Sequence, residues 1–419
     1  MASRGYKRAA HKRRLCAMSI NTVYVIDAIR TPIGKFRGAL AKVRTDDLAA
    51  LTVSTLVKRQ AALSERIDQV IFGSTNQAGE DNRNLARMAL LLAGLPYEVP
   101  AVTVNRLCGS GLESINDAAR MIALGESEVA IAGGVESMTR APYSMPKPEE
   151  PFARGAPKIY DTTLGWRYPN PKMAERFDLI GMGETAENVA TKWGINREEQ
   201  DRFALGSQQK AAAAWEQKAF ADEIVPVEVP QRKGPAVIVD RDESIRPDTS
   251  MEKLAKLKPA FREGGSVTAG NSSPLNDGAA AVMLASESVV KELGVQPALR
   301  WVASATAGVD PSYMGEGPIP ATKKALARAG LRSPNLDVIE LNEAFASQSL
   351  ACIRGLDLDP ARVNVRGGAL ALGHPIDASG ARIVATLLGA MKADDKARVG
   401  LASLCIGVGQ GIATLFEKV

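Results

Sequence analysis

Two cysteines and one histidine of this 419-residue chain sit in glycine-rich runs. Cys108 lies in Asn-Arg-Leu-Cys-Gly-Ser-Gly (105–111) and Cys405 in Cys-Ile-Gly-Val-Gly-Gln-Gly (405–411). His374 lies in Gly-Gly-Ala-Leu-Ala-Leu-Gly-His-Pro-Ile-Asp-Ala-Ser-Gly (367–380), and the other of the two histidines, His11, falls in a basic N-terminal tail. Small residues let backbone approach a ligand closely. A thiol served by an imidazole is the arrangement of nucleophilic catalysis by cysteine.

Each position has its own chemistry. Leu112, Ile115, Ala119 and Ile122 follow Cys108 at helical spacing, which predicts a helix from about Ser110 to Leu124. Ser110 and Glu113 have capping-box spacing and Gly125 is placed to stop the helix. The thiol is therefore expected near a helix N-terminus, where free N–H groups and the helix dipole favour thiolate. An imidazole of near-neutral pKa suits removal of that proton, which points to His374 as the base. Cys405 ends an apolar segment and enters a Gly-x-Gly turn, so the Gly407 N–H is free to point at a ligand, as in an oxyanion hole. Asn342 opens Asn-Glu-Ala-Phe-Ala (342–346) after an apolar strand, where helix capping would equally explain it. Cys352 reads as core. Four cysteines (Cys16 in the tail, Cys108, Cys352, Cys405) lack the density and spacing of a disulfide framework or a zinc site, and no metal is expected.

The elements that must hold these residues alternate. Strand-like segments at 23–26, 69–72, 101–105 and 129–132 are interleaved with helix-like segments at 46–59, 84–92 and 110–124, which predicts an α/β fold with buried, largely parallel strands. Residues 138–270 carry prolines, charge-rich helices and long loops, as expected of an insertion. After Gly278 the alternation resumes and echoes the first half. Arg-Ile-Asp-Gln-Val-Ile-Phe-Gly (66–73) is matched by Leu-Asp-Val-Ile-Glu-Leu-Asn (336–342), and Ser-Gly opens a helix at 110–111 and again at 379–380. The expected division is a basic tail (1–17), a first half (18–137 with about 276–296), an inserted domain (138–275) and a second half (297–419).

Composition excludes some classes. With 45% hydrophobic and 24% charged residues the chain reads as globular, and no apolar run reaches the roughly 18–20 residues of a membrane span. The net charge of +5 is misleading: Arg4, Lys7, Arg8, Lys12, Arg13 and Arg14 supply six charges in residues 1–17, leaving −1 for the rest. Nucleic-acid binding is therefore not expected. The tail reads as an organelle import segment or as sequence upstream of a start at Met18. With no secretory h-region, a cytoplasmic location is the expectation, and import is the alternative.

Taken together, the four segments around Cys108, Asn342, His374 and Cys405 resemble the thiolases, the acyl-CoA C-acyltransferases, over residues 20–419. The resemblance implies two βαβαβαββ halves in a layered α-β-α-β-α core with an inserted loop domain that binds coenzyme A. It implies that Cys108 carries the acyl group and His374 activates it. Cys405 exchanges a proton with the α-carbon of the acetyl-CoA partner. Asn342 (through a water) and His374 hold the thioester oxygen, and the N–H groups of Cys108 and Gly407 hold the other oxyanion. Thr-Ala-Gly-Asn-Ser-Ser (268–273) matches the family's coenzyme A pattern, giving Ser273 contact with the pantetheine arm, with Ala269, Gly270, Met182, Met314 and Phe345 lining the tunnel. Coenzyme A is then a substrate, no cofactor is held permanently, and a homodimer or homotetramer is expected. Cleaving a 3-oxoacyl thioester expels an enolate, which needs both an oxyanion site and an acid near carbon. Dividing the reaction through an acyl-cysteine implies ping-pong kinetics.

Some positions depart from the family pattern. The usual Gly-His-Pro-x-Gly has Asp377 in its last place. That carboxylate raises the His374 pKa, or crowds the turn, or lies in solvent without effect; Asp377→Gly is expected to leave activity intact while moving its acid limb. Pro274, Gly181 and Arg366 argue against a strict acetoacetyl-CoA-forming acetyltransferase. Residues 79–87, 161–167 and 184–189 instead resemble the β-ketoadipyl-CoA branch, which serves aromatic catabolism. A ketosynthase of Cys-His-Asn type is the remoter alternative, and it would have no use for Cys405.

Overall fold

The structure, a computed structural model, describes residues 20–76, 79–80, 82–152 and 154–419. The basic tail with Cys16 lies outside the described residues, as does Asp81 of the 79–87 segment.

The central sheet runs Val338–Leu341, Val399–Ile406, Gln410–Lys418, Leu299–Gly308, Val23–Arg30, Asn276–Ser286, Val129–Ser137, Ile67–Gly73, Ala101–Val104. Leu299–Gly308 and Val23–Arg30 meet at only two residue pairs, Tyr24 with Arg300 and Val25 with Leu299. On either side of this seam the order repeats: two antiparallel neighbours, then a parallel strand. The two segments that echo one another in sequence are the equivalent strands Ile67–Gly73 and Val338–Leu341.

The expectation of largely parallel strands is corrected. Parallel pairing is confined to the outer strands of each half. Gln410–Lys418 follows Val399–Ile406 after a three-residue turn, far too short for a parallel crossover. Asn276–Ser286 comes back from the long excursion to lie antiparallel between Val129–Ser137 and Val23–Arg30.

Helices Ser110–Leu124 and Ser379–Ala393 fill the space between the two half-sheets. Leu112, Ile115 and Ile122 of the first and Ile383, Leu387 and Met391 of the second share one core with Val25, Ala132 and Val282 on one side and Ala402, Leu404 and Ile412 on the other. Thr45–Arg59 and Leu85–Leu92 cover the outer face of one half. Pro318–Ala329 and Ala346–Leu356, with Cys352 buried among them, cover the other. The layers are α-β-α-β-α. The central helices touch at their first turns, where a Cβ on Gly111 would overlap the Asp377 carbonyl and one on Gly380 the Leu112 nitrogen. Glycine at both places lets the helix starts meet.

Between Ser137 and Asn276 the chain leaves the sheet and forms helices Met182–Trp193 and Arg197–Glu216 and two short ribbons. Arg30, buried at the end of its strand, fastens this excursion. Its Nε donates to Glu223 Oε1 (2.6 Å), and Nη1 and Nη2 grip the two oxygens of Asp242 (2.7 and 2.9 Å).

Candidate active site

Cys108 sits on a tight turn between Ala101–Val104 and its helix. Leu107 adopts the left-handed region (φ 47°), rare for a residue with a branched side chain. Local bonds hold it there: Leu107 N–H donates to Asn105 Oδ1 (2.9 Å) and Ser110 N–H to Leu107 O (2.8 Å). The helix spans Ser110–Leu124 and ends on Gly125 at φ 76°, as its sequence predicts. The capping box does not form. Ser110 lies inside the helix, its Oγ accepting from Arg106 N–H (3.0 Å) and donating to Leu107 O (2.6 Å), while Glu113 pairs with Arg106 (2.9 Å) and Arg120 (3.1 Å). These bonds stiffen the turn rather than capping the helix.

The thiol is half-buried. Burial pushes it up to about 11, against the pull of the Gly407 N–H, with Asp377 and Glu136 adding to the rise. A helix start favours thiolate, while desolvation and the nearby carboxyls work against it.

His374 opens the corresponding turn of the second half and is buried. Its backbone N–H donates to Asn276 Oδ1 (2.9 Å). Its Nδ1 lies 2.6 Å from Ser379 Oγ, whose own hydrogen goes to Pro375 O (2.8 Å). This network assigns the proton to Nδ1 and leaves Nε2 as an acceptor, 3.4 Å from Asn342 Nδ2. Burial, helped by Arg382, lowers the imidazole to about 3. Arg382 Nη2 donates to Asn342 Oδ1 and Nη1 to Glu340 Oε2, each at 3.4 Å. Burial outweighs the attraction in that ion pair, pushing Glu340 up to about 8 and Arg382 down.

Cys405 lies within Val399–Ile406 and is buried, its thiol raised well above its ordinary value by burial and then by Cys108. The following turn passes through Val408 at φ 61°. It packs on the Cys108 turn: a Cβ on Gly407 would stand 3.5 Å from both Leu107 and the Met182 sulfur. Met182, Met314, Phe345 and Cys405 form one apolar cluster with Val267, Ala344 and Ala186. Ser273 N–H donates to Ala344 O (3.0 Å), tying residues 268–273 to that cluster, and Gly270 packs on Leu254 and Leu257. Ala269 is exposed.

Asp377 departs from two of the alternatives read for it. It is fully buried, so the solvent-facing reading fails, and His374 is lowered rather than raised. Asp377 accepts from Thr75 N–H at 2.6 Å (Oδ2) and presses against Glu136. Ser379, Asn276, Arg382 and Glu136, which hold or face the three turns, were missed in the sequence. Only Ser379, five residues after His374, carried a local signal. The others reach the site from distant strands and a helix.

A model of the thiolase N-terminal domain matches residues 23–288 and one of the thiolase C-terminal domain matches residues 295–418. The chain is 54% identical over 399 residues to a beta-ketoadipyl-CoA thiolase of Acinetobacter baylyi, covering 94% of this chain and 99% of that one. It is 52% identical to the 3-oxoadipyl-CoA/3-oxo-5,6-dehydrosuberyl-CoA thiolase of Escherichia coli, with the same coverage. The crystal structure of the Bacillus anthracis acetyl-CoA acetyltransferase superposes with a TM-score of 0.91 at 42% identity, over 96% of this chain and 100% of that one. The chain belongs to the thiolase family.

Proposed function

We propose that this enzyme thiolyses a dicarboxylate-derived 3-oxoacyl-CoA, with 3-oxoadipyl-CoA the favoured donor, through an acyl group carried on Cys108. Nε2 of neutral His374 takes the Cys108 proton, and the thiolate attacks the 3-oxo carbon. The bond between the α-carbon and that carbonyl breaks, and the departing enolate of acetyl-CoA takes a proton from Cys405. Coenzyme A then gives its thiol proton to Cys405 and receives the acyl group, while the leaving Cys108 sulfur recovers its proton from His374. Asn342, through a water, and His374 hold the thioester oxygen, and the N–H groups of Cys108 and Gly407 hold the oxyanion formed at Cys108.

The observation that carries this reading is the Gly407 N–H, two residues beyond Cys405, facing the Cys108 sulfur. A raised Cys405 thiol also suits an acid that must be protonated before it serves carbon. The names of relatives at 52–54% identity favour the dicarboxylate donor. Residues 138–275 act as the domain that binds coenzyme A, with Ser273, Ala269, Gly270, Met182, Met314 and Phe345 along its pantetheine arm. Coenzyme A serves as substrate, with no permanent cofactor. The edge strand Ala101–Val104, with Val102 exposed, supports self-association into a homodimer or homotetramer. A cytoplasmic location fits this chemistry. Among the described residues no helix is long and apolar enough to cross a membrane.

The test is intact-protein mass after mixing with 3-oxoadipyl-CoA or acetoacetyl-CoA in the absence of free coenzyme A. A succinyl increment on Cys108 that coenzyme A discharges is expected, and it should form faster than the acetyl increment. No increment with either donor, or one mapping elsewhere, overturns the reading.

A further inference from the structure

The turn that carries His374 also carries a carboxylate that the thiolysis steps leave unused. Asp377 stands where the family usually has glycine, and it is fully buried. Its Oδ2 accepts from Thr75 N–H (2.6 Å), while Oδ1 has no donor among the described residues. Glu136, buried on Val129–Ser137, lies against it. Glu136 Oε2 accepts from Thr75 Oγ1 (3.3 Å) and Oε1 from Asn76 Nδ2 (3.5 Å). No ion pair reaches either carboxyl among the described residues. Arg167, which donates to Thr75 O (3.4 Å) and Thr162 O (2.9 Å), is held on carbonyls instead.

Two buried carboxyls in contact cannot both ionise. Burial pushes both up, and Asp377 pushes Glu136 further, so the proton belongs to Glu136. A Glu136 O–H donating to Asp377 Oδ1 supplies the missing partner and leaves one net negative charge. A Cβ on Gly111, three residues after Cys108, would overlap the Asp377 carbonyl, so that charge lies against the first turn of the Cys108 helix and acts on its thiol. Its own N–H, the Gly407 N–H and the protonated Cys405 thiol also act on this thiol, while Ser110 faces Asp377 from the helix and Arg382 faces His374.

We infer that Asp377 is a positioning residue for Cys108: sharing one proton with Glu136, it keeps the resting thiol protonated until His374 takes the proton. The link to catalysis rests on Cys108 being the acyl carrier. The effect on the thiol does not.

The test is the rate of Cys108 alkylation by iodoacetamide from about pH 6 to about pH 10, on the rising limb below the midpoint at about 11, where a shifted midpoint reads as a rate ratio, followed on the full chain by peptide mass. Asp377→Asn should lower the midpoint by about one pH unit, making Cys108 about tenfold more reactive below both midpoints. Asp377→Gly, with the residue usual in the family, should do the same and guards against a folding defect in the first variant. Glu136→Gln keeps a donor on Asp377 Oδ1 and leaves the charge in place, so its midpoint should not move. Unmoved profiles in both Asp377 variants, or an equal shift in Glu136→Gln, overturn the inference. Because alkylation needs no acyl-CoA, a shifted midpoint without acylation would sink the proposed function and leave this inference standing.

Discussion

Asn342 Nδ2 lies 3.4 Å from His374 Nε2, and Arg382, donating to Asn342 Oδ1, makes the amide face that way. The imidazole is turned from its other side by Ser379, so once Nε2 holds the Cys108 proton, an amide N–H and a ring N–H point into one space. Removing one donor from such an oxyanion site costs about 10²–10³ in kcat. Asn342→Ala should show that loss with KM little changed, as steady-state thiolysis would measure. A loss confined to KM would mean that Asn342 serves binding alone.

Cys405 is asked to protonate carbon, a step that general acids accelerate by about 10²–10⁴. Cys405→Ser puts a much weaker acid in the same place. Turnover should fall by at least about 10², while iodoacetamide still labels Cys108. Turnover near that of the unaltered enzyme would assign the proton to another group.

His374 falls from 6.5 to about 3 on folding, so the unfolded chain binds its proton more tightly than the native one. The stability from this group is whole above pH 6.5 and is lost as pH falls from there towards 3, by at most about 1.4 kcal/mol per pH unit. Denaturant midpoints at about pH 7 and about pH 5 should therefore separate more for the unaltered protein than for His374→Asn. Equal separations would show that burial does not hold the imidazole neutral. On the same grounds, the acid limb of activity belongs to groups other than His374.

Arg30 joins the first strand to two carboxylates of the excursion, Glu223 and Asp242. Breaking a buried pair by removing one partner costs about 3–5 kcal/mol, because the remaining charge stays buried. Arg30→Met should lower stability by about that amount, read by chemical denaturation. A loss below about 1 kcal/mol would mean that water reaches the carboxylates freely.

Much of this protein was legible in its residues alone. The helix after Cys108, its stop at Gly125, the strand before Asn342, the core place of Cys352 and the echo of one half in the other all follow from spacing along the chain. Spacing reports local periodicity, and these features are local. The mixed sheet was not legible, because whether Asn276–Ser286 pairs parallel or antiparallel depends on where it lands after the excursion that follows Ser137. The states of the titrating groups were hidden for the same reason. Cys108 sits beside a helix start that alone would favour thiolate, yet a desolvated pocket and the carboxyls of Glu136 and Asp377 raise it. Asp377, three residues from His374, gave no local sign of burial; Thr75, Glu136 and the glycines at 111 and 134 close over it from distant parts of the chain. Sequence fixed which groups could do chemistry and on which turns they sit. Tertiary structure decided which of them are charged, because the dielectric and the partners around a buried group are supplied by residues remote in the chain.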